Sequence, residues 1–159
     1  MAISLAPKEI SHQNLMKIIS LEVSTDQQGY VAPNSITISQ NIFEPGGWVR
    51  GLWDDDTPIG LIAMIDPTIK GPGSEPDDPQ DAAYLWRLMI DHTHQRKGYG
   101  HLAIAIAFQQ AQTWGFGKLL TSCVPGARTP QPFYESLGLC PKGRMVDGEV
   151  ELVGPVPPA

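Results

Sequence analysis

The sequence predicts an α/β (α+β) fold built on a mixed, mostly antiparallel sheet, and three features predict it. Two apolar, β-rich runs, Trp48–Trp53 and Ile59–Ile65, flank a short polar turn, the signature of a hairpin. An almost continuous apolar run over 83–90 precedes a long amphipathic stretch and another apolar run, the pattern of a strand–helix–strand unit. Near the end, Asp147–Gly148 separates two further strand-like segments. At 159 residues the chain has the size of one domain, and 42% hydrophobic residues is enough for a core and too many for intrinsic disorder.

Taken in order, Ile3–Leu5 reads as a short first strand. Ser11 to Val23 reads as a helix, with Ser11 as N-cap and Leu15, Ile18, Ile19 and Glu22 at helical spacing. A second helix is expected over Ser35–Phe43, ended by Pro45–Gly46–Gly47. The hairpin follows, turning at Asp54–Pro58. Residues 66–82, rich in Pro, Gly and Asp, form a loop long enough to be functional. Ala83–Ile90 reads as a central strand covered on both faces, with Arg87 the exception inside it. Gly98–Gly115 is a helix whose stripe of Leu102, Ala103, Ile106, Ala107, Ala111 and Trp114 suits packing on a sheet. Lys118–Val124 is a strand. Thr129–Pro130 supplies an N-cap and a first-turn proline for a short helix that stops at Gly138. The last hairpin covers 142–146 and 149–153, and residues 154–159 read as a flexible tail.

Net charge −6 argues against a nucleic-acid footprint. Cys123 and Cys140 make neither a disulfide framework nor a metal knuckle, which fits a cytoplasmic protein. No apolar run approaches the roughly 20 residues that span a bilayer, so no membrane partner is expected. His92 and His94 alternate as metal ligands do, but no third ligand lies nearby, so no metal is expected.

The chemistry-bearing segment is Leu85–Gly100: an apolar strand, then a turn through Gln95–Arg96–Lys97–Gly98–Tyr99–Gly100 that opens a helix. Free N–H groups at a helix start, the helix dipole and the cations Arg96 and Lys97 together make an anion site, most naturally for phosphate. Gly98 and Gly100 allow the backbone to approach a diphosphate. It is not a Walker A loop, because no Gly-Lys-Ser/Thr follows, and it lacks the three-glycine dinucleotide fingerprint.

Gln95-x-x-Gly98-x-Gly100 after an apolar strand resembles the acetyl-CoA pyrophosphate motif of the GNAT superfamily of N-acetyltransferases. Phe133–Tyr134–Glu135–Ser136–Leu137–Gly138–Leu139 resembles that superfamily's second signature, and the order of elements matches along essentially the whole chain. Val31–Gln40 and Leu85–Asp91 also look like bacterial spermine/spermidine (diamine) acetyltransferases.

The resemblance implies a splay between the strands at 84–90 and 118–124, with acetyl-CoA in the cleft. It implies that Leu88, Met89 and Ile90 pair with the pantetheine arm, that Gln95, Arg96, Lys97, Gly98, Tyr99 and Gly100 hold the pyrophosphate, and that an N–H near Ile90 polarises the thioester carbonyl. Tyr134 takes the place of the acid that protonates the departing thiolate. The acceptor would be a small, polyamine-like primary amine, and the assembly a homodimer. An aminoglycoside, amino acid or protein N-terminus as acceptor, or a non-catalytic acyl-CoA-binding module, are the alternatives.

The sequence departs from its relatives in two places. Where polyamine-acetylating relatives often carry a strand Glu, Trp86 stands, so the base lies open between Asp81, Glu44, Asp91 and a water chain. Asp91 itself reads as a solvated turn carboxylate. Where many members place a pantetheine-contacting Asn, residues 125–130 offer Arg128 or backbone. Cys123 reads as a buried strand residue and not a nucleophile. Eight of the 17 acids lie between 54 and 81, opposed only by Lys70, an asymmetry suited to steering a cationic acceptor.

Overall fold

The computed structural model describes residues 2–159. A seven-stranded sheet has the order β1-β2-β3-β4-β5-β7-β6, with β1 Ala6–Glu9, β2 Gly47–Asp54, β3 Thr57–Ile65, β4 Ala83–Ile90, β5 Lys118–Cys123, β6 Cys140–Val146 and β7 Glu149–Pro155. All pairings are antiparallel except β4 with β5. Helices α1 (Leu15–Ile19), α2 (Asn34–Asn41), α3 (Tyr99–Thr113) and α4 (Gln131–Ser136) flank it.

Two apolar clusters sandwich the sheet. On one face Ala103, Ile104 and Ala107 of α3 meet Ile62, Leu85, Leu119 and Leu152. On the other, Ile18 of α1 meets Val49, Trp53, Leu61 and Met89. Burying a Leu or Ile side chain contributes about 1.5–3 kcal/mol, so both faces of β3 and β4 anchor the fold.

Several boundaries differ from the sequence reading, each for a visible reason. The first strand is Ala6–Glu9, because those residues pair with Arg50–Trp53, while Ser4 instead binds the Asp54 carboxylate through its side chain. The first helix shrinks to Leu15–Ile19. Ser11 and Asn14 exchange side-chain bonds in a turn before it, and Ser20 Oγ donates to the Met16 carbonyl at its end. Beyond that point the Glu22 N–H donates to Asp91 and the Glu22 carbonyl accepts from the His92 N–H, which draws residues 21–23 out of the helix. Thr129 is not the N-cap of α4; Pro130 is, although Thr129 Oγ1 still accepts the Gln131 N–H at 3.3 Å. Strand β7 continues to Pro155, the Val156 N–H donates to the Gly117 carbonyl, and Gln112 holds the Pro157 carbonyl.

Two irregularities in β4 shape everything that follows. Its ladder with β5 covers only Ala83–Leu85, after which the strands part. Its ladder with β3 skips Trp86: Leu85 faces Met64 and Arg87 faces Ala63. This bulge sets Trp86 and Arg87 on the same side of the strand, with the guanidinium 4.6 Å from the Trp86 ring centroid.

Candidate active site

The parting of β4 from β5 opens a cleft of about 500 Å³. Backbone alternation determines what β4 offers it. The Asp91 N–H donates to the Ile59 carbonyl at 2.8 Å, so residues 89 and 91 direct their polar groups toward β3. Those of Leu88 and Ile90 therefore point into the gap, and Gln95 Nε2 donates to the Ile90 carbonyl there at 2.9 Å. Met89 also lines the cleft, yet its side chain is buried under α2, where Asn34 Nδ2 lies 3.5 Å from its sulfur.

At the far end of the cleft the 95–100 turn enters α3. Gly98 has φ +95°, and Arg96 also sits at positive φ, +62°. The N–H groups of Arg96, Lys97 and Gly98 make no hydrogen bond within the described chain, and the first N–H groups of α3 are free by helix geometry. A Cβ on Gly100 would lie 3.1 Å from the Phe133 ring. The result is a concave row of donors, with Arg96 and Arg128 in its walls, shaped for a bulky anionic ligand with an extended arm along β4.

The predicted cofactor residues divide by role. Leu88, Met89, Ile90, Gln95, Arg96, Gly98, Tyr99 and Gly100 all line the cleft, whereas Lys97 is exposed beside it. Gln95 spends its amide on the Ile90 carbonyl and on Gln27 Oε1, so it locks the turn. The Tyr99 hydroxyl donates to Asp54 Oδ2 at 2.6 Å, tying the start of α3 to the β2–β3 hairpin and holding the Asp54 carboxyl below its ordinary range. Asp54 of that hairpin thus sits beside the start of α3.

Tyr134, buried in α4, forms a wall shared by this cleft and a second cavity of about 440 Å³. Burial, and then Cys123, push its phenol above the ordinary tyrosine range, so it carries its proton at physiological pH. The second cavity is also lined by Trp86, Arg87, Ser122, Cys123 and Glu149. Through Tyr84, Trp86, Ser122 and Glu149 it adjoins a third, of about 330 Å³, whose rim includes Glu44, Glu75, Asp78 and Glu151.

A family profile described as Acetyltransferase (GNAT) family matches residues 12–139. The chain belongs to the GNAT acetyltransferase family. A search of curated proteins finds no match to it. Among solved structures it is similar to an acetyltransferase from Thermus thermophilus, with TM-score 0.70 and 14% identity over 96% of this chain and 97% of that one. The GNAT domain of S. lividans PAT gives 0.72 and 16% over 95% and 89%. A paia N-acetyltransferase from Thermoplasma acidophilum, in complex with coenzyme A, gives 0.66 and 15% over 96% and 99%. At these identities the likeness shows the shared GNAT fold.

Within this GNAT fold the base candidates sort clearly. Asp81 lines none of the three cavities and is paired with Lys118 at 2.8 Å, which holds its carboxyl low. Asp91 is not a solvated carboxylate. It is buried, accepting from the Glu22 N–H and from the Thr93 N–H and hydroxyl; burial alone would raise its pKa, and these bonds outweigh it and lower it. Glu44 borders only the third cavity. Asp77 and Asp78 lie close to Arg144, at 3.6 and 3.8 Å.

Arg128, offered by the sequence in place of the Asn of many family members, lines the cleft. Its side chain pairs with Asp26 at 3.1 Å, and its N–H donates to the Tyr30 hydroxyl. Burial drives the Cys123 thiol up to about 12, so it is no nucleophile. No cluster of metal ligands occurs among the described residues, and His92 Nδ1 instead meets the Glu22 carbonyl. Sequence reasoning missed Tyr84, Ser122 and Glu149. Nothing in their spacing relates them, because the β5–β7 pairing brings the last strand against the central ones.

Proposed function

We propose that this GNAT protein transfers the acetyl group of acetyl-CoA to a primary amine of a small, polyamine-like acceptor, by direct attack in a ternary complex. The observation that carries the cationic acceptor is the continuity of cavities behind Tyr134. The cavity it shares with the cofactor cleft opens toward an acid-bordered one, with Glu149 at their common wall. A chain of ammonium groups suits that path.

The chain's own groups divide the work. The gap-facing groups of Leu88 and Ile90 hold the extended arm, and the free N–H groups from Arg96 into α3 hold the pyrophosphate. When bound, acetyl-CoA supplies an activated acetyl thioester. The Ile90 N–H is the donor assigned to carbonyl polarisation. Tyr134, kept protonated by burial, is the proton donor for the leaving sulfur. A cytoplasmic homodimer is the setting that the family resemblance suggests.

Arg87 supports a second reading. It lines the acceptor cavity with no carboxylate partner among the described residues, its Nη1 held by Thr37 and Gln40. An amino-acid acceptor would place a carboxylate there. An acetylation assay over polyamines, amino acids and aminoglycosides decides between them. Turnover of spermidine or putrescine supports the first reading, and amino-acid turnover lost in Arg87→Gln supports the second. Acetyl-CoA binding without turnover of any amine would leave an acyl-CoA-binding module.

A further inference from the structure

We propose that Glu149 takes the proton that the acceptor's ammonium must lose, with Ser122 and Tyr84 holding its carboxylate in position. The inference rests on the amine-acceptor reading above. An alkylammonium ionises near ~10.4, so at neutral pH almost every acceptor amine arrives without a lone pair. Some group beside the acetyl-transfer point must relieve it of a proton.

Geometry isolates one carboxylate. Of the acids around the three cavities, Glu149 alone lines the cavity that Tyr134 borders. Ser122 Oγ donates to Glu149 Oε1 at 3.2 Å and lies 3.1 Å from the Tyr84 hydroxyl. These three residues come from β7, β5 and β4, so the array is pinned by the sheet and not by a loop. No cation pairs with Glu149 among the described residues, whereas neighbouring Glu151 pairs with Arg144 at 3.5 Å. The charged and titratable groups around Glu149 are Tyr84 and Arg87 of β4, Cys123 of β5, Tyr30 and Tyr134 around the inner cavity, and Glu44, Glu75, Asp78, Asp147 and Glu151 around the outer one.

The step balances with no further reactant. The N–H proton of the ammonium passes to a Glu149 carboxylate oxygen, the amine keeps the bonding pair as its lone pair, and Glu149 becomes a neutral acid. Glu149 also borders the outer cavity, so it can return the proton to solvent on the side away from Tyr134. Ser122 and Tyr84 are positioning residues, because they act through the carboxylate.

The test compares wild type with Glu149→Gln on spermidine across pH 6–10. We expect the variant to lose about 10²-fold in kcat/KM at neutral pH, the scale of a lost acid–base group. The deficit narrows above pH 9 as the amine deprotonates unaided, and formate partly restores a Glu149→Ala variant. Calorimetric binding of acetyl-CoA is unchanged, and spermidine binding to the free protein weakens. Ser122→Ala reproduces the pH pattern at smaller size and serves if the Glu149 variants do not fold. A deficit constant across pH, or wild-type kinetics in both variants, would overturn the proposal. Wild-type protein that neither binds nor acetylates spermidine would instead overturn the polyamine reading, and this inference with it.

Discussion

Thr121 Oγ1 donates to the Leu85 carbonyl at 3.0 Å, and Leu85–Thr121 is the last paired step between β4 and β5. A side chain thus satisfies the carbonyl at the point where the two backbones separate. Thr121 is 2% exposed, so water cannot take its place. Thr121→Val keeps the shape and removes the donor. We expect a loss of about 1–3 kcal/mol in chemical denaturation, together with weaker acetyl-CoA binding by calorimetry.

Tyr134→Phe should fold as wild type and lose about 10²-fold or more in turnover. The phenol's pKa is raised, chiefly by burial, so in wild type the Tyr134 proton imposes no basic limb on the rate profile below pH 10. Its contribution to stability has the matching sign. It is complete below the unfolded tyrosine value of about 10 and is lost as pH rises from there toward the folded value. Rate profiles and alkaline denaturation check both statements.

Asp91 behaves oppositely. Its carboxyl is lowered, so its stabilisation is present above the unfolded value of about 3.9 and is lost as pH falls toward the folded one. Asp91→Asn should cost about 1–3 kcal/mol at neutral pH and flatten the stability curve below pH 4. The same substitution should leave the dependence of turnover on pH between 6 and 9 unchanged, since Asp91 is saturated by Glu22 and Thr93.

Gly98→Ala places a Cβ at φ +95° and 3.2 Å from Ile3 Cδ1. Left-handed backbone costs an L-residue about 1–2 kcal/mol. The strain falls on the turn that presents the free N–H groups, so we expect acetyl-CoA affinity to fall about tenfold with a smaller change in denaturation midpoint.

The strands and the long helix were legible because their signals are local. Ala83–Ile90 is an unbroken apolar run, and Asp147–Gly148 turns with both residues at positive φ as its dipeptide demands. The glycine-bearing turn that opens α3 was legible for the same reason. What escaped was set by distant partners. The first helix is shortened by a bond between Glu22 and Asp91, 69 residues apart, and the same bond buries a carboxylate that reads as solvated. The Trp86 bulge carries no Gly or Pro to announce it. Glu149 gains its surroundings only when β7 docks on β5.

The Trp86 bulge works as a frame shift within one strand. Before it, even-numbered Tyr84 and Trp86 face the second cavity. After it, odd-numbered Arg87 takes that side, and even-numbered Leu88 and Ile90 turn toward the α3 core. Removing residue 86 alone would make Leu85–Met64 and Arg87–Ala63 consecutive steps of a regular ladder and leave the facing of Leu88 and Ile90 unchanged. What would go is the local bend and added twist that a bulge gives its strand, close to the place where β4 stops pairing with β5, together with the ring that stacks on Arg87. The one surplus residue thus acts as a wedge in the sheet, beside the point where β4 keeps step with β3 on one edge and leaves β5 on the other.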